Sequence, residues 1–100
     1  MASWGDVQVY DEMIADLGTF YQTIGNSCEV MLVAAQTCMD NMESDKASVK
    51  AYKSVTDSVK KYEEARELAA KLARALEEER NDLIEYLRKL DELEAAEGGE

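Results

Sequence analysis

The chain has 100 residues, of which 46% are hydrophobic, and it contains neither proline nor histidine. Its 22 acidic and 11 basic residues give a net charge of −11, which opposes direct binding to nucleic-acid backbones and to anionic membranes. These values predict one folded, all-α domain, and the lack of histidine excludes a helical metal site built on Glu-x-x-His.

The first predicted element is a long helix from about residue 4 to residue 43, capped by Ser3 or Asp6. Its apolar side chains recur in alternating steps of three and four, which is the spacing of a seam that packs on another helix. An amphipathic helix cannot bury such a stripe alone, so the seam predicts a partner. We assign ten residues to this partner-binding stripe: Tyr10, Leu17, Tyr21, Ile24, Cys28, Met31, Leu32, Ala35, Cys38 and Met42.

Residues 25–27 read Gly-Asn-Ser, a combination that favours a break and a new helix cap. The apolar spacing nevertheless passes from Ile24 to Cys28 without a slip, so we expect one continuous or slightly bent helix. A break at this point stays open as the alternative. Gly18 and Gly25 would let a neighbouring helix approach closely, at a cost of about 1 kcal/mol each in helix propensity.

A polar stretch follows the first helix, and we place a turn at residues 43–47. Residues 1–45 hold eight acids and no lysine or arginine, whereas residues 46–61 hold five lysines and one acid. Folding back lays the basic segment beside the acidic first helix, which a continuous rod does not do. The charge pattern therefore favours a hairpin over a rod.

Helix two is predicted from about residue 48 to residue 96, which makes residues 1–97 one helical-hairpin domain. Residues 98–100 form a short acidic tail that we expect to fray. Glu79 and Arg80 interrupt the apolar spacing. Either they act as a register device, which fixes the alignment of the two helices, or they mark the point where one partner helix ends. The seven-residue repeat is carried by Val55, Tyr62, Ala69, Leu76, Leu83 and Leu90, and it is supported by Val59, Ala65, Leu72, Tyr86, Leu87 and Leu93.

Residues 30–35 read Val-Met-Leu-Val-Ala-Ala and are apolar on every face of helix one; we call them the belt. One partner helix covers only one side of a helix, so the belt predicts contact from two sides. Two antiparallel hairpins packed as a four-helix bundle would bury it, either as a homodimer or as a complex with a different hairpin.

No residue set in the chain indicates chemistry. Cys28 and Cys38 lie about 15 Å apart along one helix, which is beyond disulfide reach within the chain, so we expect reduced, buried side chains. An intersubunit disulfide or a reactive thiol stays open as the alternative. The carboxylates form a solvated face, and we expect no catalytic, cofactor-binding or metal-ligating residue and no enzyme activity. No apolar run approaches the ~20 residues of a membrane span, so we expect a cytoplasmic protein as synthesised, with export without a cleaved signal peptide left open.

An acidic chain of about one hundred residues without proline, with two long helices, a short turn and a need to dimerise, resembles the WXG superfamily of small proteins secreted by bacterial type VII systems. The Trp-x-Gly of that family's turn is absent at residues 43–47, because Trp4 stands at the N-terminus beside Gly5. Its C-terminal signal, Tyr followed four residues later by an acid, is also absent, since Leu90 stands four residues after Tyr86. The resemblance implies a helical partner protein and no site residues.

These observations predict a non-enzymatic helical adaptor or secretion partner, which pairs through its apolar seam with a helical effector domain or a sister hairpin of a type VII-like system. The expected partner is a protein, without direct nucleic-acid contact or membrane insertion. Two alternatives remain open: an acidic phage-type inhibitor that mimics nucleic acid, and a generic coiled-coil structural subunit.

Overall fold

The structure, a computed structural model, describes residues 1–41 and 46–98, and two helices account for nearly all of them. Helix α1 runs from Trp4 to Asn41, and helix α2 runs from Lys46 to Gly98. The described ranges contain no strand, so the all-α class and the two-helix organisation are confirmed. Of the predicted turn, residues 43–45 lie outside the described residues, as do Met42 and the last two residues of the tail.

The two helices lie side by side in opposite directions. At one end, the indole N–H of Trp4 donates to Asp91 at 3.3 Å. Halfway along, Arg66 donates to the carbonyl oxygen of Tyr21 at 3.0 Å. The register is therefore nearly constant, with residue numbers of facing positions adding to about 90. The resulting rod measures 84 × 16 × 15 Å, which is the expected antiparallel hairpin.

Helix α1 begins at a cap formed by the Asp6 side chain and then continues without a break. The backbone N–H of Ser3 donates to the carboxylate of Asp6 at 2.8 Å, and the backbone N–H of Asp6 donates to the carbonyl of Ser3 at 3.0 Å. A carboxylate in the first turn also complements the helix macrodipole. Residues 25–27 lie within α1, so the continuous helix is confirmed and the break does not occur.

The core between the helices is thin, because each helix of a hairpin has only one neighbour. No large side chain in the described ranges is less than 2% exposed. A core this small leaves a domain of this length marginal by itself. The buried hydrophobic residues are Val7, Cys28 and Ala35 from α1, and Val59, Ala69 and Leu87 from α2.

Candidate interaction surface

Helix α2 covers most of the stripe that the sequence assigns to a partner. Tyr21 and Leu32 keep 37% and 40% of their surface exposed, and Met42 lies outside the described residues. The stripe therefore meets its first partner within the chain, and its contact with a second chain stays a prediction. Of the other seven, Cys28 and Ala35 are buried, and Tyr10, Leu17, Ile24, Met31 and Cys38 are half-buried.

The belt is covered on one side only. Met31 and Ala35 lie at the contact with α2, whereas Val30 is 68% exposed, Val33 is 65% exposed and Leu32 is 40% exposed. Burying one such aliphatic side chain stabilises a protein by about 1.5–3 kcal/mol. Three adjacent aliphatic side chains thus remain in water, and covering them favours association.

A second apolar surface runs along one side of the hairpin. A residue three positions after a seam residue is rotated by about 60° from it around the helix, and the sense of rotation is the same in both helices. Because the helices are antiparallel, this rotation brings such residues of α1 and α2 to the same side, which we call the flank. Its large apolar residues, 38–61% exposed, are Met13, Phe20, Leu72, Tyr86 and Leu93, and Glu79 stands between Leu72 and Tyr86.

The other side of the hairpin has a different composition. Residues one position after a seam residue lie there, because a step of one residue turns the helix by about 100°. Most of them are polar or small, so the extended apolar surface belongs to one side. The polar ones include Asp11, Glu29, Gln36, Glu77, Arg88 and Asp91.

An open apolar groove lies between the helices near their connected end; we call it the tip groove. Its volume is about 260 Å³, and Ala34 and Ala51 stand at its edge. These alanines are three positions after Met31 and Ser48, so the groove opens on the flank. Small side chains at this level leave space that larger ones would fill. The groove walls are formed by Met31, Ala35, Cys38, Ser48, Tyr52 and Val55.

A polar contact fixes the middle of the hairpin at Gly25. The guanidinium of Arg66 lies 3.9 Å from the ring centroid of Tyr21, and its Nε donates to the Tyr21 carbonyl. A Cβ at position 25 would lie 2.6 Å from Cζ of Arg66. In a helix the side chain at i+4 shields the carbonyl of residue i, so the missing Cβ of Gly25 gives Arg66 access to that oxygen. Gly25 thus serves close approach.

The charged interruption in helix two meets polar residues of α1. The hydroxyl of Tyr10 donates to Glu79 at 3.1 Å, and Arg80 forms an ion pair with Asp11. The hydrogen bond to Glu79 holds the pKa of Tyr10 above its ordinary value, with desolvation and the Glu79 charge adding to the shift. Both charges find partners across the seam, which favours the register-device interpretation over the end of a partner.

Neither cysteine takes part in a disulfide, as the sequence predicts. Cys28 is buried at 2% exposure, and Cys38 is half-buried at the tip groove. Desolvation raises the pKa of the Cys28 thiol, and the nearby Glu63 carboxylate raises it further, against a smaller effect of Arg66. A raised pKa keeps the thiol protonated and unreactive at neutral pH.

The described part of the chain contains no cluster of three acidic or cysteine side chains that could hold a metal ion. It also has no helix of the length and apolarity needed to span a membrane. Comparison with protein families, with curated proteins and with solved structures finds no match to this chain. The chemistry of the exposed surfaces is therefore the basis for a function.

Proposed function

We propose that the chain is a non-enzymatic helical adaptor that forms one half of a four-helix bundle. Its partner is a helical effector domain or a sister hairpin of a type VII-like secretion system. The observation that carries the proposal is the half-covered belt, where Val30, Leu32 and Val33 remain exposed after α2 has packed. A second hairpin covers such a surface because each helix of a four-helix bundle has two neighbours.

The charge of α1 defines the chemistry of the partner. Residues 1–45 carry eight acids and no lysine or arginine, so a partner helix with lysine or arginine beside its apolar positions is attracted to this surface. Charge then steers the encounter, and apolar burial at the belt supplies most of the affinity.

The secretion role rests on the resemblance to the WXG superfamily. This chain lacks the tyrosine-and-acid signal of that family, because Leu90 stands where an acid is needed after Tyr86. In our proposal the companion supplies the signal, and the two chains leave the cell as one bundle. The chain then contributes solubility and shape to the companion and does not contribute a secretion signal.

The test is capture of the partner from the native host with a tagged chain, followed by co-expression of the captured helical domain. We expect a one-to-one complex with the unmodified chain. Val30→Glu places a charge in the belt and should weaken the complex at least tenfold, because the carboxylate would be buried without a partner. Val49→Glu is the matched control, since Val49 is an exposed valine of α2 away from the belt and the flank.

Two results would replace the adaptor proposal. Capture of a DNA-binding enzyme, which the chain inhibits in a salt-sensitive way, would support nucleic-acid mimicry. Recovery of only the chain itself, with Val30→Glu and Val49→Glu behaving alike, would support a structural subunit.

A further inference from the structure

The tip groove is an open apolar recess that leaves its lining in contact with solvent. An apolar cavity of about 150 Å³ is large enough to hold a benzene ring. The groove has a volume of about 260 Å³, and most of its lining is apolar, so ordered water finds few partners there. An aromatic ring entering from the flank fits both its size and its polarity.

Charge selects how a second hairpin lies on the flank. The connected half of the hairpin, residues 26–65, holds seven acids and five bases, for a net charge of −2. The open half, residues 1–25 and 66–100, holds fifteen acids and six bases, for a net charge of −9. Two copies in parallel would place −9 against −9, whereas two antiparallel copies place −9 against −2. The antiparallel arrangement is therefore favoured.

Antiparallel overlap brings one particular ring to the groove. The groove is centred near the level of residue 36 of α1, and the middle of α1 lies near residue 22. If the two-fold axis passes through that middle, the groove of one copy lies beside residue 8 or so of α1 in the other copy. Residue 8 of α1 faces α2 near residue 83. Tyr86, 54% exposed on the flank, lies within about 5 Å of this level at 1.5 Å per residue.

We infer that the tip groove receives the Tyr86 ring of a second copy, which lies antiparallel along the flank so that each copy fills the groove of the other. This inference rests on the proposed four-helix packing, but it uses the flank and not the belt, so Leu32 and Val33 stay available to the adaptor's partner. With the two-fold axis near residue 22 of α1, the copies overlap along about 65 of the 84 Å. A width of 16 Å then gives an outline on the order of 1,000 Å² per copy, against the ~800 Å² per partner of a standard interface. Phe20 and Leu72 lie near the two-fold axis and pack against their copies.

The first experiment measures the dimer dissociation constant by light scattering and analytical ultracentrifugation of the full chain. The unmodified protein should be a dimer at micromolar concentration. Tyr86→Ala removes the ring, and Ala51→Trp fills the groove from within. Each should weaken dimerisation at least tenfold. Both positions are exposed in the single hairpin, so helicity measured by circular dichroism should stay unchanged.

The matched controls are Val49→Ala and Ala15→Trp, at exposed positions away from the flank. Both should leave the dissociation constant within twofold of the unmodified protein. A monomeric unmodified chain would overturn the inference, and so would a dimer that tolerates Tyr86→Ala and Ala51→Trp as well as it tolerates the controls.

The second experiment tests the orientation with the native thiol of the groove. A short bis-maleimide should link Cys38 of one copy to the cysteine introduced in the other by Asp82→Cys, an exposed position one turn before Tyr86 that keeps the ring, giving a covalent dimer on a denaturing gel. Leu68→Cys should give none. A covalent dimer formed equally by both variants would refute the antiparallel seat of Tyr86.

The two proposals fail separately. Loss of partner capture from the host tests only the adaptor function, while the dimer dissociation constant and the cross-link test only the seat of Tyr86. A monomer that still captures a helical domain would overturn the antiparallel dimer and leave the adaptor function standing.

Discussion

Two glycines of α1 provide a matched test of the Arg66 contact. Gly18 has nothing within 4 Å of the position that a Cβ would take, whereas a Cβ on Gly25 would lie 2.6 Å from Cζ and 3.0 Å from Nε of Arg66. Both residues lie inside the same helix and share the same backbone conformation class. Alanine at position 18 therefore changes only helix propensity, while alanine at position 25 also displaces the guanidinium from Tyr21.

The expected magnitudes have opposite signs. Alanine stabilises a helix interior by about 1 kcal/mol relative to glycine, so Gly18→Ala should raise the free energy of unfolding by that amount. Gly25→Ala gains the same term and loses a charged hydrogen bond, worth about 1 kcal/mol after a discount for the 25% exposed Arg66 side chain. It also loses a cation–π contact worth about 0.5–1 kcal/mol. The net result is a loss of about 0.5–1 kcal/mol.

The assay is guanidinium denaturation followed by far-UV circular dichroism, with all variants at one protein concentration because association stabilises the folded state. In a background of Arg66→Ala, Gly25→Ala should become stabilising by about 1 kcal/mol, like Gly18→Ala. If Gly25→Ala stabilises the unmodified chain as much as Gly18→Ala does, the Arg66 contact contributes nothing and the account of Gly25 is wrong.

Three further outcomes are expected. Met31→Lys places a charge in the half-buried seam and should cost about 3 kcal/mol or unfold the hairpin in a thermal melt, whereas Lys53→Glu on the exposed outer face should change stability by less than about 0.5 kcal/mol. Native Cys28 should react with a thiol reagent many times more slowly than in denaturant. Its pKa is raised above the ordinary 9.0 in the folded state, so the unfolded thiol ionises first and denaturation midpoints should fall as pH rises above that value. Tyr10→Phe removes one exposed hydrogen bond across the seam and should lower the unfolding free energy by no more than about 0.5–1 kcal/mol in the same melts.

The hairpin could be predicted because apolar spacing and charge point to the same fold. Lysines after residue 45 oppose the acids before it, and the antiparallel contacts from Trp4 to Asp91 place both segments side by side. Helix ends were less predictable: α2 begins at Lys46 and ends at Gly98, two residues beyond each expected end. No glycine or proline between residues 46 and 97 forces α2 to begin later or to end earlier.

The flank was only partly predictable. The sequence groups Leu72, Tyr86 and Leu93 with the seam because periodicity reports that a position is apolar and not which neighbour covers it. The structure leaves all three at least half exposed, since α1 covers only one side of α2. The Arg66 contact gave no periodic signal, because it depends on a missing Cβ at Gly25 on the other helix. Pairing into a four-helix bundle stays a prediction.

The antiparallel register also sets the order in which the rod opens. The contact between Arg66 and Tyr21 closes a loop of 45 residues, and that between Trp4 and Asp91 closes one of 87. Doubling a loop costs about 0.6 kcal/mol in chain entropy, and at the far end this cost is offset by an exposed hydrogen bond of 3.3 Å and by the burial of Val7 and Leu87. The hairpin therefore unzips from its free termini, and backbone amides there exchange with solvent before those near Gly25. A partner helix that displaces one helix of the hairpin would therefore bind first at the two termini.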